Sequence, residues 1–237
     1  MVDALVFDYD GTLSPIDMPR ERAFIPPDLN RVLEGLGERY VLGVATSKDY
    51  WFIRDRAAWA KVLGLVSGLE AIVGDSYFLA REAMASDRIR LLDELLHEYK
   101  WGGCVFVEEK RSVLKLLLGL SVDYRMCSHK PEEVELFAKK AGERGLIVFR
   151  YHGQPFIDIY VSKPDKSRVL EIARRLLGLR RIYYFGDSEN DIGAFEKADV
   201  RILVLHKYNQ HMLKYFNYDY IIRFEDLARW LSLEFQH

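Results

Sequence analysis

The sequence predicts an α/β protein in which a parallel sheet is interrupted by a smaller α+β segment. Short apolar runs alternate with longer amphipathic segments at both ends of the chain, which is typical of successive strand–helix–strand units. The middle of the chain departs from this pattern, because two apolar runs there stand close together. Polar residues follow directly on three of the terminal apolar runs, at Asp8, Thr46 and Asp187.

Composition supports a folded protein with a sizeable core. The 237 residues allow about one or two domains of ordinary size. Hydrophobic residues make up 49% and aromatic residues 13%, which argues against disorder. The net charge of −2 lacks the basic excess of a general nucleic-acid binder, but it is compatible with one basic pocket for a small anion.

Targeting signals and cysteines point to a soluble, cytoplasmic protein. The first apolar run, 4–7, is too short for a signal peptide, and no window approaches the roughly 18 apolar residues of a membrane span. Cys104 and Cys127 are too few for a disulfide scaffold or a cysteine zinc site. We expect both to be buried thiols in a reduced compartment, and we expect no membrane partner.

The amino-terminal part predicts alternating strands and helices. Residues 4–7 form an uninterrupted apolar run, as in a strand that is buried on both faces. Helical spacing of leucine and valine follows over 28–39, and a second apolar run covers 40–45. We expect a helix near 50–60 and a short strand near 71–73.

The middle of the chain predicts an antiparallel sheet with helices on one side. Helical patterns cover 88–99, a segment that begins at Ser112, and 131–144. The short link between the last two apolar runs contains Gly153, which is typical of a hairpin. Strands are predicted at 104–107, 122–127, 146–150 and 156–161.

The alternating pattern returns in the last part of the chain. A strongly periodic helix is expected from Lys166 to about residue 177, with Gly178 as its end. An apolar run at 181–185 then ends at Gly186 and Asp187. The remaining predicted elements are a helix from Asn190, strands near 201–205 and 220–222, and a last helix from Glu225.

The reactive residues at the strand ends are expected to meet in one place. In open parallel sheets the active crevice lies beyond the carboxyl ends of the strands. Asp8 and Asp10 follow the first predicted strand, Thr46 follows the second, and Asp187 with Asp191 follows a late one. Clustered carboxylates need a cation, and hard oxygen ligands favour magnesium.

These residue types also suit phosphoryl transfer. An aspartate such as Asp8 can act as a nucleophile and form an aspartyl-phosphate. Asp10 lies two residues further on, where it could act as general acid and base, and Gly11 allows the tight turn that this requires. Lys166 could neutralise the charge on the transferring phosphoryl group.

Four ordered motifs resemble those of haloacid-dehalogenase-like (HAD) phosphohydrolases. The segment 8–13 (DYDGTL) looks like the family signature, and Thr46, Lys166 and the segment 186–191 (GDSEND) match the other motifs in order. The resemblance implies a Rossmann-like parallel-sheet core and a magnesium cofactor. It also implies roles for individual residues: Asp8 as nucleophile, Asp10 as acid and base, Thr46 and Lys166 on the phosphoryl group, and Asp8, Asp187 and the Asp10 carbonyl on the metal, with Asp191 in support.

The long middle segment fits an inserted cap. Thr46 and Lys166 are 120 residues apart (166 − 46), far more than one connection needs. We therefore expect a core formed by 1–80 and 164–237, with an α+β cap over 81–163. Capped members of the family generally act on small phosphorylated metabolites, because a lid excludes water and bulky partners.

Finer similarity suggests a sugar phosphate as substrate. The segment 8–16 (DYDGTLSPI) is similar to trehalose-phosphate phosphatases, as is the pair Glu108 and Lys110 in the cap. Ser47, Glu108 and Lys110 are therefore candidate substrate-binding residues, although the latter two could equally lie at a solvated strand end. Asp158 falls where that family has an acidic residue.

Several alternatives stay open at this stage. Thr46, Ser47 and Lys48 replace the usual Ser-Gly-Arg of trehalose-phosphate phosphatases, so phosphatases for mannosylglycerate phosphate, sucrose phosphate or phosphoglycolate remain candidates. A phosphosugar mutase of the phosphomannomutase type shares the first motif. Lys48 receives no role, and His206 and His211 are expected at the surface or in packing, without a partner carboxylate.

Overall fold

A computed structural model describes residues 2–215 and 217–236 and contains two sheets, of eight and four strands. The α-helices are α1 (Pro27–Leu36), α2 (Tyr50–Ile53), α3 (Ser86–Glu98), α4 (Glu132–Glu143), α5 (Ser167–Leu177), α6 (Ile192–Lys197) and α7 (Leu227–Phe235). Within the described residues, no helix combines the length and the apolar character that crossing a membrane requires.

The strands of the small sheet form one continuous stretch of the chain, which lies between the fifth and sixth strands of the large sheet. The large sheet contains β1 (Ala4–Phe7), β2 (Val41–Ala45), β3 (Val62–Leu65), β4 (Glu70–Val73), β5 (Ser76–Leu79), β10 (Ile182–Gly186), β11 (Val200–Leu205) and β12 (Tyr220–Arg223). The small sheet contains β6 (Phe106–Arg111), β7 (Leu117–Asp123), β8 (Ile147–Arg150) and β9 (Phe156–Tyr160).

The large sheet has the strand order β12-β11-β10-β1-β2-β3-β4-β5. Its strands from β12 to β3 run parallel, while β4 and β5 are antiparallel additions at one edge. Phe7 at the end of β1 lies opposite Phe185 of β10 and Val44 of β2. The segments that follow these three strands therefore leave the sheet at the same edge, as the predicted α/β fold requires.

The structure differs from the predicted elements at two strands of the large sheet and at the end of helix α2. β3 and β5 were not anticipated, and the helix expected near 50–60 ends at Ile53. The sequence does not predict β3 because it contains Gly64, and glycine is unfavourable in a strand interior. A Cβ atom at this position would lie 2.5 Å from Cγ1 of Val169 in α5, so the close approach of the helix requires the glycine.

Helix α5 confirms the strongest periodic pattern in the sequence. Its apolar residues Val169, Leu170 and Ala173 are buried under the large sheet. The helix ends at Gly178, which has a φ of 60° and whose N–H donates to the carbonyl of Arg174. A left-handed residue of this kind is a frequent helix terminus and favours glycine.

The small sheet is antiparallel throughout, with the order β6-β7-β9-β8 and with helices α3 and α4 packed on one side. The predicted hairpin between β8 and β9 is confirmed. The helix predicted from Ser112 is wrong, because that segment forms the tight turn between β6 and β7. Ser112 donates its N–H to the carbonyl of Leu116 at 2.9 Å, and pairing along β7 outweighs the helical spacing of its leucines.

The two cysteines form a disulfide, so the prediction of free buried thiols is wrong. Cys104 and Cys127 are bonded, and their Cα atoms are 5.0 Å apart. The cause lies in the register of the small sheet, since Phe106 pairs with Asp123. The disulfide therefore joins the two chain segments at the open end of the β6–β7 hairpin, a proximity that sequence spacing alone does not show.

Candidate active site

Three buried carboxylates meet at the edge of the large sheet. Asp8 follows β1, Asp187 follows β10, and Asp191 ends the short turn before α6. Each offers a carboxylate oxygen, and these oxygens lie within 4.8 Å of one another. The structure thus brings together three of the four predicted metal-site residues. The side chain of the fourth, Asp10, is 29% exposed and stands outside this cluster.

Lys166 supplies the positive charge of this cluster, and together with Asp8, Asp187 and Asp191 it forms what we call the floor. Its Nζ lies 2.8 Å from Oδ1 of Asp8 and 2.7 Å from Oδ1 of Asp191. Burial raises the pKa of Asp8 and of Asp187 well above their usual range, despite the neighbouring ammonium. Three carboxylates against one ammonium leave an excess of negative charge, and the all-oxygen donor set fits a magnesium ion.

Asp191 is held by protein donors on both of its oxygens. Its Oδ2 accepts the backbone N–H groups of Asp187 at 3.0 Å and Ser188 at 3.1 Å, which fixes the turn before α6. Its Oδ1 accepts from Lys166 and from the hydroxyl of Tyr184. Asp191 therefore shapes the floor, and Asp8 and Asp187 have more freedom to bind a metal.

His206 contacts the floor, contrary to the expectation that it has no carboxylate partner. Its Nε2 lies 2.9 Å from Oδ2 of Asp187. The N–H of Tyr208 donates to Nδ1 at 3.2 Å, so Nε2 carries the hydrogen and donates to the carboxylate. Burial lowers the pKa of His206 to about 4, which keeps the ring neutral. The neighbouring strands β10 and β11 bring together these residues, which are 19 positions apart.

His211 also has a carboxylate partner that sequence spacing did not reveal. Its Nε2 lies 3.2 Å from Oε1 of Glu189, and both residues line the cleft above the floor. The cleft has a volume of about 390 Å³.

The turn after β1 places Asp10 beside the floor. Gly11 has a φ of 84°, and a Cβ atom there would lie 2.4 Å from Oδ2 of Asp187. Only glycine fits this position, on both counts. Asp10 lines the cleft, and its Oδ2 lies 3.4 Å from Nζ of Lys48. Lys48, to which the sequence assigned no role, is thus a part of the site.

The residues of the segment after β2 differ in whether they line the cleft. Thr46 is buried, and its Oγ1 accepts the N–H of Lys48 at 3.1 Å. Ser47 and Lys48 are among the described residues that line the cleft, and Thr46 is not. Of the predicted residues on this segment, Ser47 is therefore better placed for substrate than Thr46.

One face of the small sheet forms the other wall of the cleft. Glu108 of β6, Ser121 of β7 and Asp158 of β9 lie side by side across the sheet, and all three line the cleft. Lys110, two residues along β6, is on the same face because side chains alternate along a strand. We call these four residues the roof.

Ion pairs and a hydrogen bond connect the roof to residues of the large-sheet part of the protein. Glu108 contacts Nζ of Lys48 at 3.1 Å and also pairs with Arg20. Burial alone would raise the pKa of Glu108, but the surrounding cations Lys48, Lys110 and Arg20 lower it to about 2. Lys110 donates to the carbonyl of Ser47 at 3.0 Å. Both candidate substrate residues of β6 are therefore buried, and they do not lie at a solvated strand end.

Three further cleft residues were not anticipated as functional. Arg20 begins a single 3₁₀ turn, Arg20–Arg22, and no sequence pattern marks this turn. Asn190 is predicted only as the start of a helix, yet its Oδ1 accepts from Nζ of Lys166 at 2.8 Å. Tyr151 lies in the β8–β9 link and approaches Asn190 from the small sheet. Its position depends on how the two sheets pack, which a single sequence does not show.

Comparisons with known proteins agree with this geometry. The family model of haloacid dehalogenase-like hydrolases matches residues 2–199. A trehalose-6-phosphate phosphatase related protein has a similar structure, with 18% identity, a TM-score of 0.73 and coverage of 98% of this chain and 96% of its own. The C-terminal domain of the C. albicans trehalose-6-phosphate phosphatase gives 16% identity, a TM-score of 0.72 and coverage of 98% and 91%.

A subclass IIB sugar phosphatase of the HAD superfamily is also similar, with 15% identity, a TM-score of 0.65 and 98% coverage of both chains. No curated protein sequence matches the chain. At these identities the structural similarities establish the fold, a Rossmann-like core with a cap, and the family model covers most of the sequence. The chain belongs to the haloacid dehalogenase-like hydrolase family.

Proposed function

We propose that the protein is a magnesium-dependent phosphomonoester hydrolase that acts on a small phosphorylated metabolite. The observation that carries this proposal is the contact of the Asp8 carboxylate with Lys166, 2.8 Å apart, beside Asp187 at the floor of a covered cleft. A nucleophile, a fixed positive charge and an oxygen-rich metal site are the groups that phosphoryl transfer through an aspartate needs.

The metal would be held by Asp8, Asp187 and the backbone carbonyl of Asp10. Bound magnesium would neutralise the negative charge of the phosphoryl group and of the carboxylates around it. His206 and Thr12 contact Asp187, so this carboxylate has a defined orientation before the ion arrives.

The reaction divides into two displacements. A carboxylate oxygen of Asp8 attacks phosphorus, the bond to the leaving oxygen breaks, and Asp10 donates its proton to that oxygen. A water molecule then gives a proton to Asp10 and attacks the phosphorus of phospho-Asp8. The bond between phosphorus and the Asp8 oxygen breaks, which releases inorganic phosphate and restores the Asp8 carboxylate and the protonated Asp10. Lys166 stays protonated, since the coulombic pull of Asp191 and Asp8 outweighs burial and raises its pKa.

We propose that the substrate is a sugar phosphate such as trehalose 6-phosphate, with the cap at 81–163 as its specificity element. The roof suits hydroxyl groups, because Lys110 donates and Glu108 accepts within one buried patch. Within the described part of the chain, Oδ1 of Asp158 has no hydrogen-bond partner, and Nζ of Lys110 lies 3.8 Å away. A substrate hydroxyl could fill this position.

A phosphate-release screen tests the proposal. Purified protein would be assayed with magnesium on trehalose 6-phosphate, other sugar phosphates and phosphoglycolate. Phosphate release from at least one compound is expected, with the same assay on Asp8→Asn as the background. No release from any phosphomonoester would contradict the hydrolase function, and conversion of a hexose phosphate into its isomer without free phosphate would favour a mutase.

A further inference from the structure

We propose that Tyr151 is a positioning residue that transmits the closed state of the cap to Lys166. The inference rests on the proposed function, because it assumes that Lys166 binds the phosphoryl group. Tyr151 belongs to the β8–β9 link of the small sheet, whereas Lys166 and Asn190 belong to the core. The three residues are joined by hydrogen bonds.

The direction of each hydrogen bond follows from the chemistry of the donors. The Lys166 ammonium can only donate, so the oxygen of the Asn190 amide faces it, at 2.8 Å. The NH₂ group of Asn190 consequently faces the other way and donates to the Tyr151 hydroxyl at 3.2 Å. That hydroxyl in turn donates to Oδ2 of Asp158 at 2.8 Å. Burial and the charge of Asp158 raise the pKa of Tyr151 well above its usual value, so the proton stays on the hydroxyl.

This arrangement couples the roof to the floor at one point. The Tyr151 hydroxyl accepts from the NH₂ group of Asn190 and so holds the amide with its oxygen towards Lys166. The Ser188 hydroxyl also donates to that oxygen, at 3.0 Å. When the cap moves away from the core, the NH₂ group loses its acceptor and the amide is held on its oxygen side alone. If the amide oxygen turns away, the Lys166 ammonium loses one of the three acceptors that it has among the described residues, which are Asn190, Asp8 and Asp191. We therefore expect the phosphoryl site to be complete only under a closed cap.

The chain offers a matched control in Tyr160. Its hydroxyl donates to the same Oδ2 of Asp158, at 2.7 Å, and contacts Ser67 instead of Asn190. Phenylalanine at either position removes one hydroxyl and one hydrogen bond to Asp158. The ring of Tyr151 also packs against Phe149 and Phe156, with centroids 4.9 and 4.8 Å away, so Tyr151→Phe keeps the packing.

A double-mutant cycle with Asn190→Ala tests the proposal. Inorganic phosphate is titrated calorimetrically into each protein in magnesium buffer, and kcat is measured on p-nitrophenyl phosphate. Tyr151→Phe is expected to weaken phosphate binding and kcat by about tenfold in the wild-type background and by less than about twofold in the Asn190→Ala background. Tyr160→Phe is expected to have the same effect in both backgrounds.

The outcomes separate this inference from the proposed function. Equal effects of Tyr151→Phe in the two backgrounds, with activity present, would overturn the positioning role and leave the hydrolase function standing. A wild-type protein that neither binds phosphate nor hydrolyses any phosphomonoester would overturn both. Unfolding temperatures of all variants show whether an effect comes from misfolding.

Discussion

The floor and the roof of the cleft both bury charged side chains, and they neutralise that charge in different ways. In the floor, three carboxylates surround the single ammonium of Lys166, and burial raises the pKa of Asp8 and Asp187. In the roof, Glu108 lies among Lys48, Lys110 and Arg20, and its pKa falls to about 2. The floor needs a cation from outside, whereas the roof is supplied with cations by the protein itself.

This difference suggests separate tasks: the floor carries out the reaction, and the roof holds the small sheet against the large one. An unbalanced buried cluster is costly, so on our proposal the floor binds a metal cation, which offsets the negative charge before an anionic substrate enters. The charge of the roof is nearer to balance, because Lys48 also contacts Asp10 and Lys110 lies 3.8 Å from Asp158. The ion pairs of Glu108 with Lys48 and Arg20 join the small sheet to the core. Changes in the floor should therefore alter turnover and metal dependence, and changes in the roof should alter substrate binding.

The largest effect is expected from removing the charge of the floor lysine. Lys166→Met should lower kcat by about 10²- to 10³-fold, because the ammonium that contacts Asp8 would no longer stabilise the phosphoryl charge. Lys163 is exposed and provides the matched control. Lys163→Met should retain kcat within about twofold. Similar losses of kcat in the two variants would contradict the role of Lys166 in stabilising the phosphoryl charge.

The roof is probed by two adjacent glutamates that lie on opposite faces of β6. Glu108 is buried in the cleft, while Glu109 is exposed and pairs with Arg111. Glu108→Gln should raise KM for the best substrate of the screen by about 10- to 100-fold, since hydrogen bonds to a charged group are lost. Glu109→Gln should leave KM unchanged. A fall in kcat alone for Glu108→Gln would place this residue in the chemistry of the floor.

Metal binding should raise the stability of the floor. At about 100 times its dissociation constant, magnesium adds about 2.7 kcal/mol, or roughly 5–10 °C in Tm for a chain of this size. Asp187→Asn removes one of the repelling carboxylates, so its Tm without magnesium should equal or exceed that of the wild type. Its gain on adding magnesium should be small. A full magnesium gain in Asp187→Asn would place the ion elsewhere.

The smallest effect concerns acid stability of the roof. The pKa of Glu108 is about 2 in the folded protein against an ordinary value of 4.5, so its ionised form stabilises the fold above about pH 4.5. This contribution is lost as the pH falls towards 2. The Tm difference between wild type and Glu108→Gln should therefore shrink over that range. A difference that is constant from pH 5 to pH 2 would show that Glu108 is not stabilised by its cations.

The contrast between floor and roof also explains what the sequence could predict. The floor can be predicted from the strand ends, since Asp8 and Asp187 come directly after neighbouring parallel strands and therefore lie at the same edge of the sheet. The motif order was enough to identify these residues and Lys166 as candidates. The family model and the similar structures confirm the predicted fold class.

The roof depends on register and packing, which local patterns do not encode. The leucines after Ser112 have helical spacing, yet they form a strand, and the register of that hairpin determines which residues of β6 enter the cleft. The same register joins Cys104 to Cys127. Tyr151 becomes part of the site only when the two sheets meet, and the contact of Lys48 with Glu108 also depends on their packing.

Covalent capture of the intermediate tests the central claim most directly. The protein would be mixed with magnesium and its best substrate, quenched in acid within the first turnover, digested and analysed by mass spectrometry. We expect a phosphoryl group on the peptide that contains Asp8, and none in the Asp8→Asn protein treated in the same way. Substrate turnover with no phosphorylated peptide in the wild type, or undiminished turnover by Asp8→Asn, would contradict a mechanism through Asp8.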